Sequence, residues 1–172
     1  QIEQHHGKLD GLIQTAGILK GAYVDIENFD MATFRQVLDV NTVGSFLCAK
    51  YATPLLKRGN QAVIILISSP AAYGVSSSYA YAVSKGGVSA LGTTMAGKLA
   101  PEGIRVNVVL PGGINTAMKR SVIEADALRQ GQDPQAAIAA TTGLGEPMGV
   151  AKVLAFLVSD EAEYVRGSVN TR

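Results

Sequence analysis

Three short apolar runs stand out along the chain: residues 9–14 (LDGLIQ), 62–68 (AVIILIS) and 105–110 (RVNVVL). None alternates cleanly between apolar and polar, which predicts strands of a parallel sheet covered on both faces rather than strands with one wet side. Each run ends in turn-forming residues: Thr15-Ala16-Gly17, then Ser68-Ser69-Pro70, then Pro111-Gly112-Gly113. Helix-length segments lie between them. The pattern predicts helices over 28–39, with Asn28 as a plausible cap, over 41–57, and over 79–100, the last stopped by Pro101-Glu102-Gly103. Residues 147–159 read as a further helix with Val150, Val153, Leu154 and Leu157 on one side. Residues 116–142 are rich in Ala and polar side chains. They suit one or two helices, either an ordinary surface pair or a segment that covers a substrate. Ser168-Val169-Asn170 begins a final strand. Strand and helix alternate, so the expected class is α/β with a mostly parallel sheet.

Composition narrows the function. Of 172 residues, 47% are apolar and 17% charged, with a formal net charge of +1 and no basic run. That leaves no electrostatic footprint for nucleic acid or an acidic membrane. No apolar run reaches the ~20 residues that a membrane span needs, and QIEQHHGKLD lacks the apolar centre of a signal peptide. The single cysteine, Cys48, rules out an internal disulfide framework, fits a cytoplasmic setting, and is expected to be buried packing rather than a nucleophile. His5-His6 is expected to be an exposed helix end; no cluster of metal-ligand residues supports a metal site.

The candidate chemistry centres on Tyr81-Ala82-Val83-Ser84-Lys85. Residues i and i+4 share a helix face, and an ammonium beside a phenol is expected to lower the phenol pKa from ~10 and ready it for proton exchange. The spacing alone is weak: with 6 Tyr in 172 residues and the lysines present, chance gives roughly 0.3 such pairs. Its surroundings add weight. Ser68 and Ser69 sit where the second predicted strand ends, the side of an open α/β sheet that holds ligands. A hydroxyl there can bond the reacting oxygen or merely cap the next loop. Asn41, in VLDVNTVGSF, falls between two helical stretches and marks either a kink that holds a water or a simple break.

Taken in order, these residues resemble the short-chain dehydrogenase/reductase family over nearly the whole chain. The motifs are Gly7-Lys8-Leu9-Asp10, Ala16-Gly17, Asn41-Thr42-Val43-Gly44, Ser68-Ser69, Tyr81 with Lys85, Arg105-Val106-Asn107, and Pro111-Gly112 leading to Thr116. Glu146-Pro147 and Tyr164-Val165-Arg166-Gly167 follow in register. The resemblance implies a ketoreductase-like enzyme with NAD or NADP, moving a hydride between nicotinamide and a ketone or secondary alcohol. It implies Tyr81 as general acid/base and Lys85 on the nicotinamide ribose. Asn41 would hold a relay water, and a serine would polarise the carbonyl. Family spacing to the tyrosine selects Ser68 for that role; alignment on the strand end selects Ser69, which is preferred because the strand end fixes where a side chain points. Pro111, Gly112, Ile114 and Thr116 would line the nicotinamide end, with Ala16 and Gly17 on the adenosine side. Gln14-Thr15 stands where the family usually has two Asn, which bears on cofactor affinity.

The implied fold is a Rossmann-like doubly wound parallel sheet lacking its N-terminal strands and its phosphate-binding loop, residues 1–172 being the C-terminal, catalytic part of one domain. No Gly-rich loop between an early strand and helix precedes these motifs, and the residue that would choose NAD or NADP is absent with it. The expectation is therefore a piece of a longer protein, inactive by itself, with an exposed apolar edge on its first strand. A homo-oligomer, dimer or tetramer, is expected through residues 79–100. That stretch is crowded with small residues, whose glycines need close packing to offset a cost of ~1 kcal/mol each; packing on its own sheet is the alternative. Lys20, Ala71, Ala72, Tyr73, Val75, Tyr79 and Met118 are expected to border the substrate. Two further readings stay open: a truncated, non-catalytic oligomerisation or interaction module, and an epimerase or dehydratase of the extended branch.

Overall fold

The computed structural model describes residues 2–171. After α1 (Ile2–His6) the chain enters β1 (Gly11–Gln14), then α2 (Met31–Leu38), which a π-helical turn over Asp39–Val43 joins to α3 (Gly44–Leu56). β2 (Val63–Ile67), α4 (Tyr79–Leu99) and β3 (Arg105–Leu110) follow. α5 (Ala117–Arg129), α6 (Pro134–Ala140), α7 (Pro147–Val158) and β4 (Gly167–Asn170) complete it. The strands run parallel in the order β1-β2-β3-β4. This is the open parallel sheet that the apolar runs predict.

Both faces of the sheet are covered, which is why β2 and β3 carry no alternation. Ile64, Leu66 and Val106 pack on Ala49, Ala52 and Leu56 of α3 and Val88 of α4. Val63, Ile65 and Val109 face the other way, onto Leu157 of α7 and Ala162. The two polar residues of β3 belong to this second face. The Arg105 guanidinium donates to the carbonyls of Leu157 (3.1 Å), Ala162 (3.2 Å) and Ser159 (3.3 Å). Carbonyls at a helix C-terminus carry partial negative charge, so they suit a buried cation. Asn107 donates to Val165 and Gly167. The Arg-Val-Asn motif thus pins the end of α7 and the start of β4 to the sheet.

β1 pairs only with β2, so its outer edge is open among the described residues, with Ile13 exposed on it. The edge is shorter than expected: four residues rather than six.

Three local expectations are corrected. The cap of α2 is Asp30, whose carboxylate accepts from Ala32 and Thr33, and not Asn28, which ends a short 3-10 turn. Asn41 does not break the chain between two helices; it lies in a π turn, a recognised site of helix bending, that joins α2 to α3 without interruption. Cys48 is exposed, on the outer side of α3, because Ala49 and Ala52 take the inward positions. The small residues of α4 divide. A Cβ on Gly92 would lie 2.2 Å from Val108 of its own sheet, and one on Gly87 would lie 3.0 Å from Thr42, whereas Gly97 has open space.

Candidate active site

Because the strands are parallel, the ends of β1, β2 and β3 open on one edge of the sheet. There they deliver residues 15–18, Ser68-Ser69 and Pro111-Gly112 to one place. α4 crosses this edge. Its N-cap is Ser78, whose hydroxyl accepts the Tyr81 N–H, so Tyr81 and Lys85 lie on the first two turns and face the strand ends.

Lys85 is almost fully buried. Its Nζ donates to the Ile67 carbonyl at 2.7 Å and stands 5.5 Å from the centre of the Tyr81 ring. Burial disfavours its charge and lowers its pKa to about 8. The Tyr81 phenol is pushed up by burial and partly drawn back by the Ser69 hydroxyl. This differs from the expected lowering by Lys85. The ammonium is aimed at the Ile67 carbonyl and over the ring face, and Ser69 is the group that favours the phenolate.

The two serines part company. Ser68 is buried, donates to the Lys85 carbonyl at 2.9 Å and accepts from the Ser89 hydroxyl at 2.8 Å. Ser69 faces the opposite way, caps the next 3-10 turn by accepting the Ala71 N–H, and lines a cavity with Tyr81. Successive residues of an extended strand end point to opposite sides, which accounts for the split.

Asn41 is fully buried and its side-chain amide is spent on protein groups. Oδ1 accepts the Ile18 N–H (2.8 Å), and Nδ2 donates to the Ile18 carbonyl (2.9 Å) and to Ser84 Oγ (2.9 Å). Its main-chain carbonyl accepts from Ser45 (2.6 Å). Gly17 lies against this pair: a Cβ there would stand 3.3 Å from Asn41 Oδ1 and 3.5 Å from Lys85 Nζ. Gln14, in place of the family's Asn, accepts the Ala16 N–H at 2.7 Å and shapes the turn out of β1.

The cavity beside Tyr81 measures about 530 Å³. Of the candidate residues, Ser69, Tyr81, Gly112, Ile114 and Thr116 line it, while Asn41, Lys85, Ala16, Gly17 and Pro111 are not on its wall. Of the expected substrate neighbours, Ala71, Val75 and Met118 are on the wall. Lys20 turns to Gln36, Tyr79 packs edge-on against Phe29, and Tyr73 and Ala72 are not on the wall. Sequence reasoning missed Leu19, Tyr23, Ser76, Ser77, Lys119 and Val122. Spacing signals only the α5 members: Met118, Lys119 and Val122 fall at i, i+1 and i+4.

Residues 1–171 match the model of the enoyl-(acyl carrier protein) reductase family of short-chain enzymes. The chain belongs to the short-chain dehydrogenase/reductase family. It is 32% identical over 170 residues to the 3-oxoacyl-[acyl-carrier-protein] reductase FabG of Thermotoga maritima, a match that covers 98% of this chain and 66% of the relative. It is also 32% identical to "Inactive 2-(S)-hydroxypropyl-CoM dehydrogenase 2" of Xanthobacter autotrophicus, over 97% of this chain and 73% of the relative. Among solved structures, the aldohexose dehydrogenase of Thermoplasma acidophilum superposes with a TM-score of 0.84 at 31% identity, over 98% of this chain and 69% of its own. The chain thus spans about two thirds of the length of these short-chain dehydrogenase/reductase relatives. The four described strands form a parallel, Rossmann-like sheet of that family.

No group of metal-ligating side chains occurs among the described residues, and no helix among them is long and apolar enough to cross a membrane.

Proposed function

We propose that the protein is an NAD(P)-dependent oxidoreductase acting on a ketone or secondary alcohol, with Tyr81 as the acid/base. The observation that carries this reading is the meeting of two hydroxyls in one cavity. Ser69 and Tyr81 reach it from different elements, with Lys85 buried behind the tyrosine ring.

The residues present fit the nicotinamide and ribose end of such a cofactor. The Lys85 ammonium has three donors and makes one hydrogen bond, to Ile67, so two N–H groups in a nearly buried place await acceptors such as ribose hydroxyls. Gly17 leaves that approach open, since a Cβ there would crowd Asn41 and Lys85. Gly112, Ile114 and Thr116 supply the wall on the far side. The bound nicotinamide supplies the hydride.

For reduction, Ser69 and Tyr81 would both donate to the carbonyl oxygen, and the Tyr81 proton would pass to it as the alkoxide develops. For oxidation the phenolate would take the alcohol proton. Ser69 bonding holds part of the Tyr81 charge, and Lys85 would act on it through the ribose hydroxyls of the bound cofactor. Asn41 holds the 14–18 segment against α4, so Lys85 keeps its place. The relatives are named as reductases and dehydrogenases, which supports a nicotinamide cofactor in general.

The test is a ketone and alcohol panel with both cofactors on the longer parent protein expected to carry this chain, comparing it with its Tyr81→Phe variant. Turnover should fall at least about a hundredfold; unchanged turnover would refute the role of Tyr81.

A second reading, an oligomerisation module, draws on a different observation. Val43, Phe46, Leu47 and Tyr51 are exposed along the π turn and α3, as are Tyr79 and Val83 on α4. A second copy is the occupant that this apolar face suits, giving a cytoplasmic homodimer or tetramer; a non-catalytic module would show this assembly without turnover. Sedimentation should show a species heavier than one chain.

A further inference from the structure

The wall of the cavity is mostly apolar and hydroxylic, and it bears one charged side chain, Lys119. No Asp or Glu lines it. Lys119 lies on α5, which Thr116 caps by accepting the Lys119 N–H at 3.2 Å, and it flanks Met118 and Val122 on the same wall.

Among the described residues its ammonium has no ion-pair or hydrogen-bond partner. The ion pairs among the described residues use Lys8, Lys57, Arg58 and Arg129. Other cations near the cavity are committed. Arg129 pairs with Asp126 at 2.7 Å and lies over the Tyr23 ring, Lys20 donates to Gln36 at 2.9 Å, and Lys85 donates to Ile67. An apolar wall with an unpaired ammonium and no carboxylate favours one kind of guest, a molecule with an apolar body and an anionic end.

We propose that Lys119 is a specificity-determining residue and that the carbonyl compound handled at Tyr81 carries a carboxylate or similar anionic group, which Lys119 binds. This rests on the reading of Ser69 and Tyr81 as the end that holds the carbonyl, because that end leaves the α5 wall to the remainder of the substrate. Lysine serves such a group as a point charge on a flexible stem, so it tolerates substrates of different length.

The test pairs short oxo acids, 4-oxopentanoate and 5-oxohexanoate, with their methyl esters. Binding to the protein is followed by ligand-observed NMR, which needs no turnover, and reduction by NADH or NADPH is followed separately. The acids should bind at least about tenfold tighter than the esters. Lys119→Met should erase that preference while leaving the esters unchanged, and Lys119→Arg should keep it.

The proposal is overturned if acids and esters bind alike, which would mean that the ammonium is merely solvated, or if neither binds at millimolar concentration. It is overturned equally if Lys119→Met weakens both alike, or weakens NADH and NADPH while sparing the acids, which would assign the lysine to cofactor phosphates. A preference that depends on Lys119, together with turnover that Tyr81→Phe leaves intact, would uphold the anion site and fail the acid/base assignment instead.

Discussion

Asn41 Nδ2 donates to Ser84 Oγ across 2.9 Å, and Ser84 Oγ in turn donates to the Tyr81 carbonyl at 2.8 Å. The π turn is what brings the Asn41 side chain to this point, since its wider winding turns the amide toward α4. Thr42, next along the turn, donates to the Ser84 carbonyl at 3.0 Å and packs where Gly87 has no side chain. The Tyr81–Lys85 segment is therefore held from outside its own helix. Ser84→Ala would leave a buried amide hydrogen of Asn41 without an acceptor, at a cost of about 1–3 kcal/mol. Urea denaturation should show that loss, and hydrogen exchange at Ile18 should quicken because Asn41 also fixes the Ile18 peptide. A change below about 0.5 kcal/mol, within the range of an ordinary surface substitution, would dissolve the link.

Much of this was legible before the structure. Buried parallel strands announce themselves by unbroken Val and Ile, and each strand and long helix lies within a few residues of its expected place. What stayed hidden has physical reasons. A π turn differs from an α-helix by one residue of winding and no residue type marks it, so Asn41 read as a break or kink. Tyr23 reaches the cavity wall only because its backbone takes a left-handed φ of 60° and its N–H meets the Ser77 carbonyl, 54 residues away in sequence. The direction of the Tyr81 shift depends on burial and on where Lys85 aims, and spacing fixes neither.

The serines can be separated by their failures. Ser69→Ala removes a hydroxyl from the cavity and should lower kcat by about 10²–10³ with little change in stability. Ser68→Ala breaks a bond to the Lys85 carbonyl and a contact with Ser89, so it should cost about 1–2 kcal/mol in folding and leave the chemistry largely in place. Steady-state kinetics beside thermal melts decide between them. The opposite pattern would return the carbonyl-polarising role to Ser68.

Two glycines of α4 should respond in opposite directions to the same change. A Cβ on Gly92 would stand 2.2 Å from Val108 in β3, so Gly92→Ala must push the helix off the sheet and should cost about 1–3 kcal/mol. Gly97 has open space and helical backbone, so Gly97→Ala should gain about 1 kcal/mol from helix propensity. Should Gly97→Ala instead lower the stability of the oligomer, with monomer stability unaffected, the open space at Gly97 would be an interface with a second copy.

Lys85 gives the site a pH signature in stability as well as in chemistry. Its folded pKa is about 8 against an ordinary 10.5, because burial disfavours the cation. Between those values the unfolded chain holds more protons than the folded one, so wild-type stability rises with pH across that window. Below pH 8 the full cost of a dry ammonium remains. Lys85→Met has no such dependence, although it forfeits the hydrogen bond to Ile67 at every pH. The stability of the wild type relative to Lys85→Met should therefore climb by an amount on the order of 3 kcal/mol from pH 8 to 10.5 and stay level below pH 7. Paired urea melts at pH 6, 7, 8.5 and 10 read this directly. A gap that does not change with pH would mean that the folded lysine keeps its ordinary pKa, and the ammonium would then have to be solvated in a way that its burial between Ile67 and the Tyr81 ring does not allow.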